Sequence, residues 1–268
     1  MTAILSARQV SYTLRPRSLV NAVSLDIEAG RMTVLIGPNG AGKSTLLRLL
    51  SGELRPTSGH ILCDDEDLSH ISPGRLAARR TVMTQAIQVS SPFLTYEIVR
   101  LGIDGIGRAS SRERARIIEQ CLAAADALPF ASQSYATLSG GEQRRVQFAR
   151  ALAQIEAART VHDRQALLLD EPVANLDLSH QLALLDGAKA VAKQGVAVLA
   201  VLHDFNLASR YGDTIALMNK GAIVAYGDSS SVQKSDVLSE VFAVDLIVGT
   251  LLASERPLVI PARWLIDT

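Results

Sequence analysis

Residues Gly37-Pro38-Asn39-Gly40-Ala41-Gly42-Lys43-Ser44, with Thr45 following, fit the pattern GxxxxGK[ST] in full. The run from Met32 to Ile36 before it is short and apolar, as a buried strand should be, and Lys43–Leu50 after it reads as a helix. Phosphate oxygens need several donors converging from one side. The glycines let the backbone curl so that successive N–H groups point inward, and the helix start adds a positive dipole end. In such a cradle Lys43 reaches the β- and γ-phosphates and the Ser44 hydroxyl ligates Mg²⁺. A strand, a tight loop and a helix in this order demand an α/β architecture with a mainly parallel sheet.

The rest of the chain agrees. Thr81–Thr84, Ala166–Asp170, Val196–Leu202 and Thr214–Met218 are brief runs rich in Val, Ile and Leu, as strands covered on both faces should be. Helices are expected at Arg112–Leu128, Gly141–Ala153, Ser179–Lys193 and Asp204–Arg210. Before residue 37, Ala7–Leu14 and Val20–Glu28 alternate as antiparallel strands do, which predicts a β-layer beside the main sheet. From about Ser90 to Ser139 strand signals are few, and the interleaved Arg112, Glu113, Arg114, Arg116 and Glu119 mark a solvated helix face. That stretch reads as a helical lobe inserted into the sheet.

Composition narrows the function classes. Lys+Arg and Asp+Glu are both 27, so a wholly basic surface for nucleic acid or anionic lipid is not expected. No apolar run reaches the ~18–20 residues of a membrane span, and the N-terminus lacks a secretion-signal pattern. The two cysteines, Cys63 and Cys121, are too far apart in sequence for a local metal knuckle and suit a reducing compartment. The expectation is a soluble intracellular protein.

Ala166-Leu167-Leu168-Leu169-Asp170-Glu171-Pro172 is an apolar strand ending in two adjacent carboxylates. Strand C-termini line the ligand crevice of a parallel sheet, so both acids should face the phosphates. Neighbouring strand residues point to opposite faces, which allows two roles. Asp170 would complete the Mg²⁺ shell, and Glu171 would orient and deprotonate the attacking water.

Leu138-Ser139-Gly140-Gly141-Glu142-Gln143 is a second small-residue turn before a helix. Gly37–Ser44, Leu138–Gln143 and Ala166–Glu171, in this order, resemble the nucleotide-binding subunit of ABC transporters. The resemblance covers nearly the whole chain. It implies one ATPase domain over residues 1–268, with 1–88 and 160–268 as the catalytic core with its β-layer, and about 90–155 as a helical subdomain carrying the signature turn. It also implies roles for further residues. Tyr12 looks like the aromatic that stacks on adenine. Gln85 resembles the glutamine that senses Mg²⁺ and joins the core to the helical lobe. His203 resembles the switch histidine contacting the γ-phosphate, and Asp177, in Ala174-Asn175-Leu176-Asp177, the loop that crosses a dimer interface. Subunits of this kind work as head-to-tail pairs, so Ser139, Gly140, Gly141 and Glu142 of one copy would close on ATP held by Lys43 of the other. One cradle and one signature per chain make a homodimer the economical inference.

No membrane span is fused, so the resemblance calls for a separate integral membrane permease, fed indirectly by a substrate-binding protein, with the chain peripheral on the cytoplasmic face of the inner membrane. The short helical lobe and Pro92-Phe93-Leu94-Thr95 look like importers of iron chelates, cobalamin or haem, and residues near Gln85–Tyr96 would receive the permease's cytoplasmic helices. Between Ser139 and Asp170 the spacing is longer than is usual, with Glu156–Arg164 as the added piece. Together with Leu176-Asp177-Leu178-Ser179-His180-Gln181 this resembles the ATPases of haemin importers. Haem is therefore the expected cargo, with ferric siderophore or cobalamin as alternatives, and a soluble ATPase of iron–sulfur assembly as the reading from another class. Val173, Ala174 and Glu142 depart from the commoner Thr, Ser and Gln of the pattern, at positions away from the chemistry.

Overall fold

The computed structural model describes residues 2–84, 92–107, 109–250 and 256–265. Strands β1 (Ala3–Leu14) and β2 (Arg17–Glu28) pair antiparallel, as the alternation predicted. They precede the fully buried β3 (Met32–Ile36) and helix α1 (Lys43–Leu50). Strands β4 (Ser58–Cys63) and β5 (Glu66–Asp67) then complete a four-stranded layer in the order β2-β1-β4-β5.

Helix α2 (Pro73–Arg79) leads into β6 (Arg80–Met83), and the helical lobe follows as α3 (Thr95–Leu101), α4 (Ser111–Ala124) and α5 (Gly140–Ala158). The chain returns through β7 (Ala166–Asp170), α6 (Leu178–Lys193), β8 (Ala197–Val201), α7 (Phe205–Tyr211), β9 (Thr214–Asn219) and β10 (Ala222–Gly227). It closes with α8 (Ser229–Val232), α9 (Ser235–Phe242) and the hairpin β11 (Leu246–Thr250) and β12 (Pro257–Pro261).

Among the described residues the central sheet runs β10-β9-β3-β8-β7-β6, parallel except for β10 at its edge. Its two faces bury different cores, and the strand period of two sorts the residues between them. Val34 and Ile36, Leu167 and Leu169, Val198 and Ala200 join the core shared with the helical lobe. Leu35, Leu168, Leu199 and Val201 join the core shared with α1 and the antiparallel layer. Each fully buried Leu or Val of this kind contributes roughly 1.5–3 kcal/mol. That is what holds the strand ends rigid beneath the phosphate loop.

Two expectations are adjusted. The helix predicted over Arg112–Leu128 stops at Ala124, because Asp126 turns left-handed (φ +51°) and the amide of Ala127 bonds back to the Leu122 carbonyl at 2.8 Å. Pro129 then sits in a short 3₁₀ turn, Leu128–Phe130. The added piece before β7 is only partly a connection, since α5 runs on to Ala158. The remainder is tethered: Nε2 of His162 lies 2.7 Å from Asp64 Oδ2, Arg164 Nε lies 2.8 Å from Asp64 Oδ1, and Arg164 Nη2 donates to the Ala3 carbonyl at 2.9 Å.

Candidate nucleotide site

The parallel order β9-β3-β8-β7-β6 brings the loops after β3, β7 and β8 to one edge of the sheet. Lys43, Ser44, Asp170, Glu171 and His203 all stand there because each follows or ends one of these strands. The loop after β3 is held from outside. Gly42 has φ +102°, and a Cβ there would stand 2.3 Å from the Leu19 carbonyl oxygen; at Gly37 the clash is with the Met218 carbonyl at 2.1 Å. Ala41 is buried and its amide bonds to the Pro38 carbonyl at 3.2 Å. Tyr12 lies half-buried on β1 opposite Val20, beside the Leu19 that abuts Gly42, so the antiparallel layer carries it to the rim of the phosphate loop.

Lys43 is buried, and its Nζ donates to the carbonyls of Gly37 at 2.8 Å and Pro38 at 3.0 Å. Burial pushes this ammonium below the usual lysine range, and the carboxylates of Glu171 and Asp170 partly offset that. Ser44 Oγ donates to Asp170 Oδ1 at 3.2 Å, joining the loop after β3 to the end of β7. Burial holds Asp170 above the usual carboxylate range, against the lowering effect of the Ser44 hydrogen bond. A hydroxyl and a carboxylate so placed, beside the orphan N–H groups of a helix start, form the hard-oxygen donor set that suits Mg²⁺ on a triphosphate.

Glu171 adopts φ +49°, a left-handed conformation uncommon for glutamate, and its carboxylate meets His203 from the end of β8. The imidazole Nε2–H donates to Glu171 Oε1 over 2.7 Å. His203 is followed by Asp204, whose side chain caps α7 by accepting from the amides of Asn206 at 2.7 Å and Leu207 at 2.9 Å. Gln85 and most of the segment Gln85–Tyr96 lie outside the described residues; Phe93 packs against the core of the helical lobe.

The second turn starts α5. Ser139 caps the helix by accepting from the Glu142 amide at 3.3 Å, while the Glu142 carboxylate accepts from the Ser139 amide at 2.7 Å. A Cβ on Gly140 would meet nothing within 4 Å, and one on Gly141 would touch Leu176 at 3.4 Å. The turn therefore presents open backbone beside the Asp177 loop. Ser139, Gly140, Gly141, Glu142 and Asp177 line one shallow cavity of about 400 Å³. Asp177 caps α6, and the donors from His180 and Ser179 pull its carboxyl down to about 2.

Sequence reasoning missed how α5 grips the core. Arg144, buried beneath the signature turn, donates to the Thr84 carbonyl at 3.4 Å and lies near both Glu171 and Asp170. Arg150 donates to Val82 and Gln154 to Ala77, so one polar stripe rivets α5 to β6 and the end of α2. Its signal is readable in retrospect: Arg144, Gln147, Arg150 and Gln154 recur every three or four positions, and between Val146 and Ile155 the residues separating them are all apolar.

The chain matches the ABC transporter family over residues 20–174. It is 43% identical over 261 residues to the hemin import ATP-binding protein HmuV of Rhodopseudomonas palustris strain HaA2, covering 97% of this chain and 98% of that protein. To the protein of the same name from Agrobacterium fabrum strain C58 it is 40% identical over 258 residues, covering 96% and 98%. Among solved structures, the dimeric structure of a bacterial ABC transporter cassette superposes with a TM-score of 0.73 at 26% identity, covering 84% of this chain and 98% of that one. An ATP-binding subunit of an ABC transporter superposes with a TM-score of 0.77 at 22% identity, covering 90% and 98%.

Proposed function

The chain belongs to the ABC transporter family, and from that premise we propose that it hydrolyses ATP as the paired, membrane-peripheral subunit of a haemin importer. The observation that carries the ATPase chemistry is the meeting of three strand ends: Lys43 and Ser44 after β3, Asp170 and Glu171 at β7, and His203 after β8. The loop Gly37–Thr45 would cradle the β- and γ-phosphates through its N–H groups and the Lys43 ammonium, with Tyr12 beside the adenine. Ser44 and Asp170, with Gln85, would hold Mg²⁺, which when bound neutralises charge on the phosphate oxygens. Glu171 would orient the attacking water and accept its proton. His203, already hydrogen-bonded to that carboxylate, would hold Glu171 in place and report the γ-phosphate.

Pairing follows from the second turn. Ser139, Gly140, Gly141, Glu142 and Asp177 share one cavity at the start of α5, and in this reading they close on the nucleotide of a second copy. ATP then becomes part of the interface and hydrolysis loosens it. Among the described residues no helix is long and apolar enough to cross a membrane, so the transport step would fall to a separate permease. The haem assignment rests on the hemin import proteins that this chain matches along almost its whole length.

Glu171→Gln is expected to cut turnover at least 100-fold while ATP binding persists, because a positioned general base contributes roughly 10²–10⁴-fold. Steady-state phosphate release and equilibrium nucleotide binding read the two separately, and near-normal hydrolysis would remove Glu171 from the mechanism. The cargo is tested by ATPase activity of the complex reconstituted with its permease, stimulated in turn by a binding protein loaded with haem, ferric siderophore or cobalamin. Stimulation by a siderophore or cobalamin but not by haem overturns the cargo assignment.

A further inference from the structure

We propose that His180 is a positioning residue that ties the Asp177 loop to the signature helix, so that the two segments facing a partner copy's nucleotide move as one body. The proposal rests on the paired reading above. His180 lies in the first turn of α6, and its Nδ1 stands 2.6 Å from Asp177 Oδ1. That carboxylate is already capped by the His180 amide at 3.0 Å and the Ser179 hydroxyl at 2.9 Å, so the cap itself does not need the ring. The far ring nitrogen reaches across instead: Nε2 lies 3.5 Å from Asp126 Oδ2, in the left-handed turn that ends α4.

Asp126 is in turn held by α5. Nη1 of Arg145 donates to the Asp126 carbonyl at 2.7 Å and to its carboxylate, and the guanidinium stacks 5.0 Å from the Phe130 ring centre. Arg145 is only 13% exposed, which makes it a fixed post. Asp177, His180, Asp126 and Arg145 thus form a continuous run of polar contacts from the core helix α6 to α4 and α5 of the lobe. His180, Arg145 and Asp177 line the same cavity as Ser139 and Gly141, so the bridge crosses where the two segments meet. The two nitrogens of the ring thus face two carboxylates, one on the core side and one on the lobe side. Without it, the Asp177 loop and the Ser139 turn would have to be ordered separately on the partner's nucleotide, and part of the closing energy would go into conformational entropy.

The variants are Asp126→Asn, His180→Ala and their combination, each in the full chain assembled with its permease. Asp126 lies outside the nucleotide machinery and its change leaves the Asp177 cap intact. Both single variants should lower kcat about 3- to 10-fold, the range of coupling effects carried by such networks, with KM for ATP within two-fold of the parent. The combined variant should be no slower than the slower single one, as members of one linkage behave. In a Glu171→Gln background, the ATP concentration that half-assembles the dimer, read by analytical ultracentrifugation, should rise by a similar factor. Wild-type turnover in Asp126→Asn, or losses that multiply in the combined variant, overturns the proposal. A Glu171→Gln parent that stays monomeric at saturating ATP overturns the paired reading itself, and this inference with it.

Discussion

Burial holds Asp170 above the ordinary carboxylate range and Lys43 below the ordinary ammonium range, and both groups sit at the centre of the candidate site. A carboxyl whose folded value is raised contributes stability below its unfolded value, near 3.9, and loses it as pH rises through the folded value. At neutral pH the Asp170 carboxylate is therefore a cost to the fold. Asp170→Asn should raise Tm of the nucleotide-free protein at pH 7 by a few degrees, and the gain should fade as pH falls through the raised folded value, to be gone by about 3.9. Mg²⁺-dependent ATPase activity should be lost in the same variant. Differential scanning calorimetry across that pH range decides it, and an unchanged or lower Tm at pH 7 counts against Asp170 as a strained acid. Residues of this kind are legible in a sequence because their meaning is local: Lys43 and Ser44 sit inside one contiguous pattern, and Asp170 and Glu171 end one apolar run. His180, Arg144 and Asn206 are not, since each acquires its role from groups that only the fold brings near.

At the level of elements, the strands β3, β7, β8 and β9 and the helices α1, α6 and α7 were readable nearly to the residue, because burial on both faces or a clear apolar stripe leaves little choice. What escaped is short or half-exposed. Helix α2 has seven residues, β10 alternates between partly covered and exposed positions, and the β11–β12 hairpin buries few of its side chains. That hairpin nevertheless braces the segment after His203. Asn206 donates to the Val259 carbonyl at 3.2 Å and accepts from the Val259 amide at 2.8 Å, and Arg256 donates to the carbonyls of Ser209 and Arg210. Gln233 adds a bond to the Phe205 carbonyl, and Phe242 meets the Phe205 ring edge-on at 4.7 Å. Asn206→Ala removes two hydrogen bonds and should cost about 1–3 kcal/mol. If the brace also fixes His203, turnover at saturating ATP falls several-fold in Asn206→Ala at a temperature where the variant is still folded. A drop in Tm with an unchanged kcat would confine the hairpin to stability.

For the molecule as a whole, 27 basic and 27 acidic residues give no net field to attract a polyanion, so ATP must be captured by local geometry. Binding to the folded state alone stabilises by about 2.7 kcal/mol at a ligand concentration of 100 Kd. For a chain this long that is a rise in Tm of about 5–10 °C. Lys43→Ala should abolish the shift, measured against that variant's own nucleotide-free melting, and a full shift in it would exclude the loop after β3 as the nucleotide seat. The parallel sheet, its antiparallel companion layer and the helical insertion were all legible as a class, because periodicity and motif order agree on one architecture. How the lobe is fastened was not, since the stripe Arg144–Gln154 reads only as helix polarity until its acceptors on α2, on β6 and at Thr84 are known.

Helix α5 carries the signature turn at its first residue, and beyond its last the chain is pinned to Asp64 through His162 and Arg164. Nineteen residues make a rod about 28 Å long. A beam fastened near its tip at Thr84, at mid-length at Val82 and beyond its tail at Asp64 cannot slide lengthwise over the sheet. The stretch that lengthens this chain between Ser139 and Asp170 thus fixes the far end of the rod whose near end carries Ser139.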